Sequence, residues 1–261
     1  MSFDLKSIRT GINIGPPRIV LYGVPGIGKT TWASKSPSPI FIPTEDGAGA
    51  LDIDTFPLAE KYEDILQSIG TLLQEKHKYQ TVVIDAMEGV EMFMHRYIVE
   101  RLEGAESISD NSKGSPTSFG KGLSIFAPNE MTSLLQGFEA LRRKGMSVIL
   151  IGHSTVAKFS PPDLEAYDRY SVRLEKRSLE LIKDWSDAIL FANYRTFLTK
   201  DDEGFGNTRA RGKGVGERVV FTEERPAFIA KNRYGLPSEM PMEYSAFASG
   251  LTSLKNKQES K

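Results

Sequence analysis

The chain has 261 residues, 39% of them hydrophobic and 26% charged, with a formal net charge of -1 and no cysteine. That length and apolar content suit one large globular domain with a substantial core, and the near-neutral balance excludes a surface that is basic throughout, so any nucleic-acid surface must be local. Disulfides and thiolate metal sites are excluded, and His77, His95 and His153 are too scattered for a metal cluster.

The first 17 residues read as a polar arm ending in Gly15, Pro16 and Pro17. The opening MSFDLKSIRT lacks the charged-then-apolar pattern of a signal peptide, and no run of ~18 apolar residues occurs, so a cytoplasmic protein without a membrane partner is expected. Arg18 to Tyr22 is a compact apolar run, followed by a glycine-rich turn and a helix over Lys29 to Ser34. Ile40 to Ile42 is a second short strand. Tyr62, Ile65, Leu66, Ile69 and Leu72 fall at helical spacing, Thr81 to Ile84 is a third buried run ending in Asp85, and Val90 to Leu102 reads as a helix. Met131, Leu134, Leu135, Phe138 and Leu141 mark another amphipathic helix before a fourth strand at Ser147 to Ile151. Continuous apolar runs separated by helices are what a parallel sheet covered on both faces requires, so the chain is read as α/β. Further on, Ala188 to Tyr194, Phe197 to Thr199, Arg218 to Thr222 and Ala227 to Lys231 predict an antiparallel extension, and residues 251 to 261 a frayed polar tail. Two long loops, 103 to 127 and 154 to 174, exceed ordinary connections.

The first turn is the most specific signal. Gly23, Val24, Pro25, Gly26, Ile27, Gly28, Lys29 and Thr30 satisfy G-x-x-x-x-G-K-[ST], with Thr31 following, between an apolar strand and a helix. Glycines let backbone N–H groups curl around phosphate oxygens, Lys29 reaches the β and γ phosphates of ATP, and Thr30 can ligate Mg²⁺. Asp85 is the natural second contact to Mg²⁺, directly or through water.

Hydrolysis further requires a group that activates water. The place directly after Asp85 is Ala86, and Glu88 lies three residues on, at a helix start. The strand FIPTEDG instead ends in Glu45, and neighbouring parallel strands open onto one crevice at their carboxyl ends. Glu45 is therefore the candidate base, with Asp46 and Gly47 as the turn behind it.

Those residues, with GVPGIGKTT, ILIGHST, YDRYSVRLEKR leading into WSDAILFAN, and KNRYG, resemble the RecA-type ATPase core over roughly residues 17 to 240. More narrowly the chain looks like phage nucleotide-binding proteins, some of which are single-strand annealing recombinases. The resemblance implies a RecA-like P-loop fold over 18–250, with a mainly parallel sheet, helices on both faces and an antiparallel C-terminal extension. It implies Glu45 as general base, Asp85 with Mg²⁺, and His153 as a sensor where the family often carries glutamine. It also implies that Lys231 and Arg233, alternating along a strand, act on a neighbouring subunit's ATP within a ring or filament. Expected partners are single-stranded DNA and single-strand-binding or replication proteins, in a host cytoplasm if the chain is phage-encoded.

Residues for DNA are sought in the long segments. The loop after His153 carries Lys158, Phe159, Arg169 and Arg173, suited to phosphates and to stacking on bases, but Asp163, Glu165, Asp168 and Glu175 nearly cancel its charge. Arg209, Arg211 and Lys213 lie in a glycine-rich stretch read as a hairpin tip. Lys113, Phe119 and Lys121 occupy the place of the family's first DNA-binding loop. The leading expectation is a DNA-stimulated ATPase for recombination or annealing. A ring-shaped replication helicase or loader, a small-molecule P-loop kinase and a non-hydrolysing nucleotide switch are the alternatives.

Overall fold

A computed structural model describes residues 4, 8, 14–47, 49, 51–202 and 208–259, excepting the side chains of 196–202, 208–215 and 255–259. The frame is a parallel ladder in which β1 (Arg18–Gly23) lies between β5 (Ser147–Phe159) and β7 (Ala188–Asp202). Beyond β5 follow β4 (Thr81–Asp85), β2 (Pro39–Pro43) and the two-residue edge β3 (Asp54–Thr55), all parallel. On the other side β8 (Thr208–Phe221) pairs antiparallel with β7, and β10 (Glu239–Pro241) with β8. The mainly parallel sheet with an antiparallel extension is thus present.

Each central strand is apolar on both sides because both faces are covered. Val20, Tyr22, Val148 and Leu150 face a core built with α2 (Tyr62–Gln74), α3 (Met87–Arg101), α4 (Ala127–Arg143) and α5 (Lys176–Trp185). Ile19, Leu21, Ile149 and Ile151 face the opposite core, closed by α1 (Lys29–Ser34) and α6 (Tyr244–Glu259) through Trp32, Tyr244 and Phe247. The alternation along β1 and β5 is the period-2 signature of a strand buried on both faces.

Several elements differ from the sequence reading. The segment 154 to 174 is no loop: β5 runs on to Phe159 and pairs antiparallel with β6 (Tyr167–Val172), forming a hairpin that leaves the main sheet after His153. Its burial alternates rather than staying apolar, which hid it. Helix α5 was missed because its N-cap is Glu175, which accepts from the Arg177 and Ser178 amides, rather than the commoner Ser, Thr, Asp or Asn. Ala227 to Lys231 is not a strand: Ala227 O and Ile229 N bond only to Tyr170, and pairing with β7 is confined to β9 (Lys231–Asn232). The tail expected from 251 is the second half of α6, with Leu251 and Leu254 packed on the smaller core. Most of the N-terminal arm lies outside the described residues.

One ion-pair node fixes the amino ends of the strands. Asp187 accepts from the backbone N of Arg18 at 3.1 Å and from its guanidinium at 3.0 and 2.6 Å, so the start of β7 is tied to the start of β1. Burial alone would raise the Asp187 carboxyl, but the Arg18 hydrogen bonds and charge outweigh it and hold it below the usual range. A depressed carboxylate contributes stability above its unfolded value near ~3.9 and loses it as pH falls through the folded value. Asp187→Ala is expected to cost about 3 kcal/mol in chemical denaturation at pH 7, and the gap to the parent should close below about pH 4.

Candidate nucleotide site

The phosphate loop leaves the carboxyl end of β1 and enters α1. Gly26 and Gly28 have φ of 73° and 103°, the left-handed region that glycine adopts without strain. At Gly23 a Cβ would stand 2.1 Å from the Ala192 carbonyl oxygen, so a side chain there would part β1 from β7. Ile27 is fully buried and anchors the loop into the smaller core, while Pro25 and Gly26 are exposed. Lys29 Nζ donates to Gly23 O at 3.1 Å and to Val24 O at 3.2 Å. Burial pushes the Lys29 ammonium below its ordinary value, against the opposing pull of Asp85, Glu88 and Glu45.

Those carboxylates converge because the parallel register sets strand ends side by side. Gly23 pairs with His153, Asp85 with Ile151, and Pro43 with Asp85. Thr30 Oγ1 donates to Asp85 Oδ2 at 2.7 Å. Burial raises the Asp85 carboxyl, with Thr30 and Lys29 opposing and Glu45 adding to the rise. A hydroxyl and a carboxylate meeting at one point suit a hard cation such as Mg²⁺, which binds few protein oxygens and keeps water and phosphate ligands. Among the described residues no group of three or more His, Cys, Asp or Glu side chains gathers to hold an ion, so an ion here would depend on those other ligands.

Glu45 is half exposed and stands at the end of β2, its Oε1 3.6 Å from His153 Nε2. Thr44 fixes its approach: the backbone N donates to Asp85 O at 2.8 Å, and the side-chain hydroxyl both donates to Ala86 O at 2.7 Å and accepts from Ala86 N at 3.0 Å. The hydroxyl fits because α3 has Gly89 there; a Cβ would lie 2.3 Å from Thr44 Oγ1. Glu88, in the first turn of α3, accepts from the backbone N of His153 at 2.5 Å. Neither Thr44 nor Glu88 carries a motif signal of its own. Thr44 shows only as a polar residue ending an apolar strand, and Glu88 was legible as a helix-start acid without a partner.

Beside the loop a cavity of about 460 Å³ opens between α1 and the start of α6. Gly28, Thr31, Lys35, Arg218 and Tyr244 line it, and Arg218 reaches Ile27 O at 3.4 Å. Tyr244 is backed by Trp32 edge-on at 4.9 Å. This wall was not legible in sequence, since Arg218 and Tyr244 come from elements far along the chain.

Residues 15–234 match the family described as AAA domain. The chain belongs to that family. It is also 25% identical over 177 residues to the SPbeta prophage-derived uncharacterized protein YorG of Bacillus subtilis (strain 168), covering 66% of this chain and 49% of that protein, so the match spans about half of the relative's length. Among solved structures it is similar to the RadB recombinase, at 15% identity and a TM-score of 0.43 over 83% of this chain and 86% of that one. A KaiC-like protein of Pyrococcus horikoshii OT3 follows at 14% identity and 0.39 over 81% and 80%.

The AAA domain places the remaining sequence candidates in three regions. Lys231 and Arg233 lie at the amino ends of the strands: Lys231 pairs with Ile189 and its Nζ donates to Lys183 O, while Arg233 donates from its backbone to Asp187 O at 3.1 Å and sits 3.4 Å from the Asp187 carboxylate. Ile19 and Gly23 bracket the length of β1, about 13 Å at ~3.3 Å per residue, so the pair is on the rim opposite its own phosphate loop. Only Lys231 is in the short strand, yet both side chains reach the carbonyl end of α5, where cations are favoured.

On the β5–β6 hairpin, Arg169 stacks over Phe159 at 3.7 Å and pairs with Glu224 at 2.9 Å, and Lys158 stands opposite Asp168. Arg169 is thus held by a neighbouring segment, whereas Lys158 and Arg173 are exposed. The backbone of Arg209, Arg211 and Lys213 belongs to the β7–β8 arm; their side chains lie outside the described residues. The 103 to 127 segment is mostly exposed but folds around Thr117, which is buried and donates to Ser107 O at 3.0 Å, and it lifts Phe119 to 90% exposure. No helix among the described residues is long and apolar enough to cross a membrane. Gly89→Ala is expected to lower stability by about 1 to 3 kcal/mol by forcing Thr44 off Ala86, read as a fall in thermal midpoint.

Proposed function

We propose that this AAA domain is a Mg²⁺-dependent ATPase acting on single-stranded DNA in phage-type recombination or annealing, assembled so that ATP lies between subunits. One observation carries the reading: Lys29, Thr30, Asp85, Glu45 and His153 gather at one rim of the sheet, while Lys231 and Arg233 sit on the opposite rim. A single chain thus holds the cradle and a candidate base but keeps its basic pair away from them. Head-to-tail association of two copies brings the pair of one to the cradle of the next, a heterologous contact that makes rings or filaments.

In this reading the loop amides and Lys29 hold the β and γ phosphates, and the cavity beside Thr31, Arg218 and Tyr244 takes the nucleoside end. Thr30 and Asp85 are the residues that would hold Mg²⁺, which would supply positive charge beside the terminal phosphates. Glu45 accepts a proton from water, whose oxygen bonds the γ-phosphorus as the bond to the β-phosphate oxygen breaks, leaving ADP and phosphate. His153, beside Glu45, reports the state of that phosphate to the hairpin that begins directly after it.

The β5–β6 hairpin and the β7–β8 arm extend the two strands that flank β1, on the rim of the phosphate loop. That placement supports the DNA reading, with Lys158, Arg173 and the Arg209 to Lys213 stretch as contacts. The prophage origin of the relative agrees with a phage setting. The test is phosphate release with and without single-stranded DNA, read beside particle size with a non-hydrolysable ATP analogue. DNA-stimulated release by large particles is expected, together with annealing and no unwinding. DNA-indifferent release by a monomer would overturn the reading. Arg233→Ala is expected to keep ATP affinity within about threefold and lose about 10³-fold or more in turnover, and Glu45→Gln to bind ATP without turning it over.

A further inference from the structure

Glu88 is a largely enclosed acid that binding and hydrolysis, as drawn above, leave without a task. Its side chain is 15% exposed; Oε1 accepts from the His153 backbone N–H at 2.5 Å and Oε2 lies 3.4 Å from His153 Nδ1. A carboxylate oxygen accepts, so the Nδ1 contact to Glu88, within hydrogen-bonding distance, needs a proton on Nδ1. The other ring nitrogen, Nε2, stands 3.6 Å from Glu45 Oε1, beyond hydrogen-bonding distance, so that contact asks for no second proton. A single imidazole therefore stands between two carboxylates, one largely enclosed and one half exposed.

The position of His153 in the ladder gives this contact its reach. His153 is the last residue of β5 paired with β1, opposite Gly23 at the root of the phosphate loop, and its carbonyl accepts from Arg173 N at 2.9 Å where β6 ends. Ser154 already pairs with Val172 in the hairpin. Close packing holds the junction: a Cβ at Gly152 would lie 2.9 Å from Val172 Cγ1 and 3.6 Å from Glu88 Oε1. The Glu88 charge is also felt at Lys29, which places it within the electrostatics of the phosphate site.

We propose that Glu88 is a positioning residue: it fixes the His153 backbone and the Nδ1–H state of its ring, holding Nε2 at Glu45 and tying the phosphate rim to the root of the β5–β6 hairpin. The inference rests on the hydrolysis reading for its kinetic consequence, but not for its structural one. With its proton on Nε2 instead, the imidazole donates to the Glu45 carboxylate and occupies a lone pair that would take the water's proton, and general acid–base steps lose about 10² to 10⁴ in rate when such a group fails.

Glu88→Gln separates these effects. Its amide oxygen still accepts from the His153 N–H, but its NH₂ then faces Nδ1, and two donors cannot face each other, so the ring proton must move to Nε2. With three histidines in the chain, ¹⁵N-histidine NMR resolves this once the His153 signal is assigned by its loss in His153→Ala. The parent is expected to show a protonated Nδ1 and Glu88→Gln a bare one. Turnover of ATP should fall about 10²-fold in Glu88→Gln, with ATP affinity within about threefold, and Glu88→Asp, still anionic, should recover part of it. A bare Nδ1 in the parent overturns the proposal, as does Glu88→Gln turning over within about twofold of the parent. If the parent does not hydrolyse ATP, the hydrolysis reading fails and the NMR result alone decides the role of Glu88; if Glu88→Gln does not fold, the parent spectrum and Glu88→Asp decide it.

Discussion

Everything at the phosphate rim depends on the register of the parallel ladder. Parallel strands cannot choose their ends independently: pairing Ile19 with Ile149 forces Gly23 beside His153, and pairing Val83 with both Phe41 and Ile149 forces Asp85 beside Pro43 and Ile151. A slip of one residue would turn every apolar side chain to the wrong face, so two buried cores lock the register, and the register in turn delivers the polar residues to one edge. Thr44 then makes the edge specific by clamping the end of β2 to the backbone of Ala86. Core packing and site geometry are in this sense one constraint.

The same ladder explains why two arms flank the nucleotide rim. The strands on either side of β1 are the two that outrun it, β5 into one hairpin and β7 into another. An aromatic cluster of Tyr22, Tyr170, Phe191, Phe221 and Phe228 lies at their roots, and Tyr22 donates to Ile229 O at 2.6 Å. Such rings interlock β1 with both arms and with the segment that leads to Lys231. At the amino ends, the Arg18–Asp187 pair plays the matching part and also holds Arg233.

What could be read from sequence divides by the range of the interaction. The phosphate loop was legible because its demands are local: Gly26 and Gly28 need left-handed backbone and Lys29 follows directly. The four apolar core strands, β1, β2, β4 and β5, were legible because burial on both faces leaves an unbroken apolar run, α2 and α4 because their apolar residues fall at helical spacing, and α1 because it must follow the phosphate loop. The hairpin arms were not fully legible, since beyond Gly152 the strand is half exposed and its alternation resembles a polar loop. Contacts between distant segments left no local trace. Glu88 was visible as an acid at a helix start, but only the fold brings it to His153, 65 positions away. Arg218 meets Ile27 across 191 positions, and nothing in either neighbourhood announces it.

The proposed enzyme is one in which each nucleotide site is completed by the next copy, and subunit mixing tests this directly. Glu45→Gln subunits keep a basic pair to donate but lack the base, and Arg233→Ala subunits keep the base but lack the donor. Mixed in equal amounts with ATP and single-stranded DNA, two inactive preparations should recover about a quarter of the unmodified activity, because that share of random head-to-tail junctions unites an intact base with an intact donor. No recovery at any mixing ratio, in particles shown to contain both variants, would contradict a site shared between subunits.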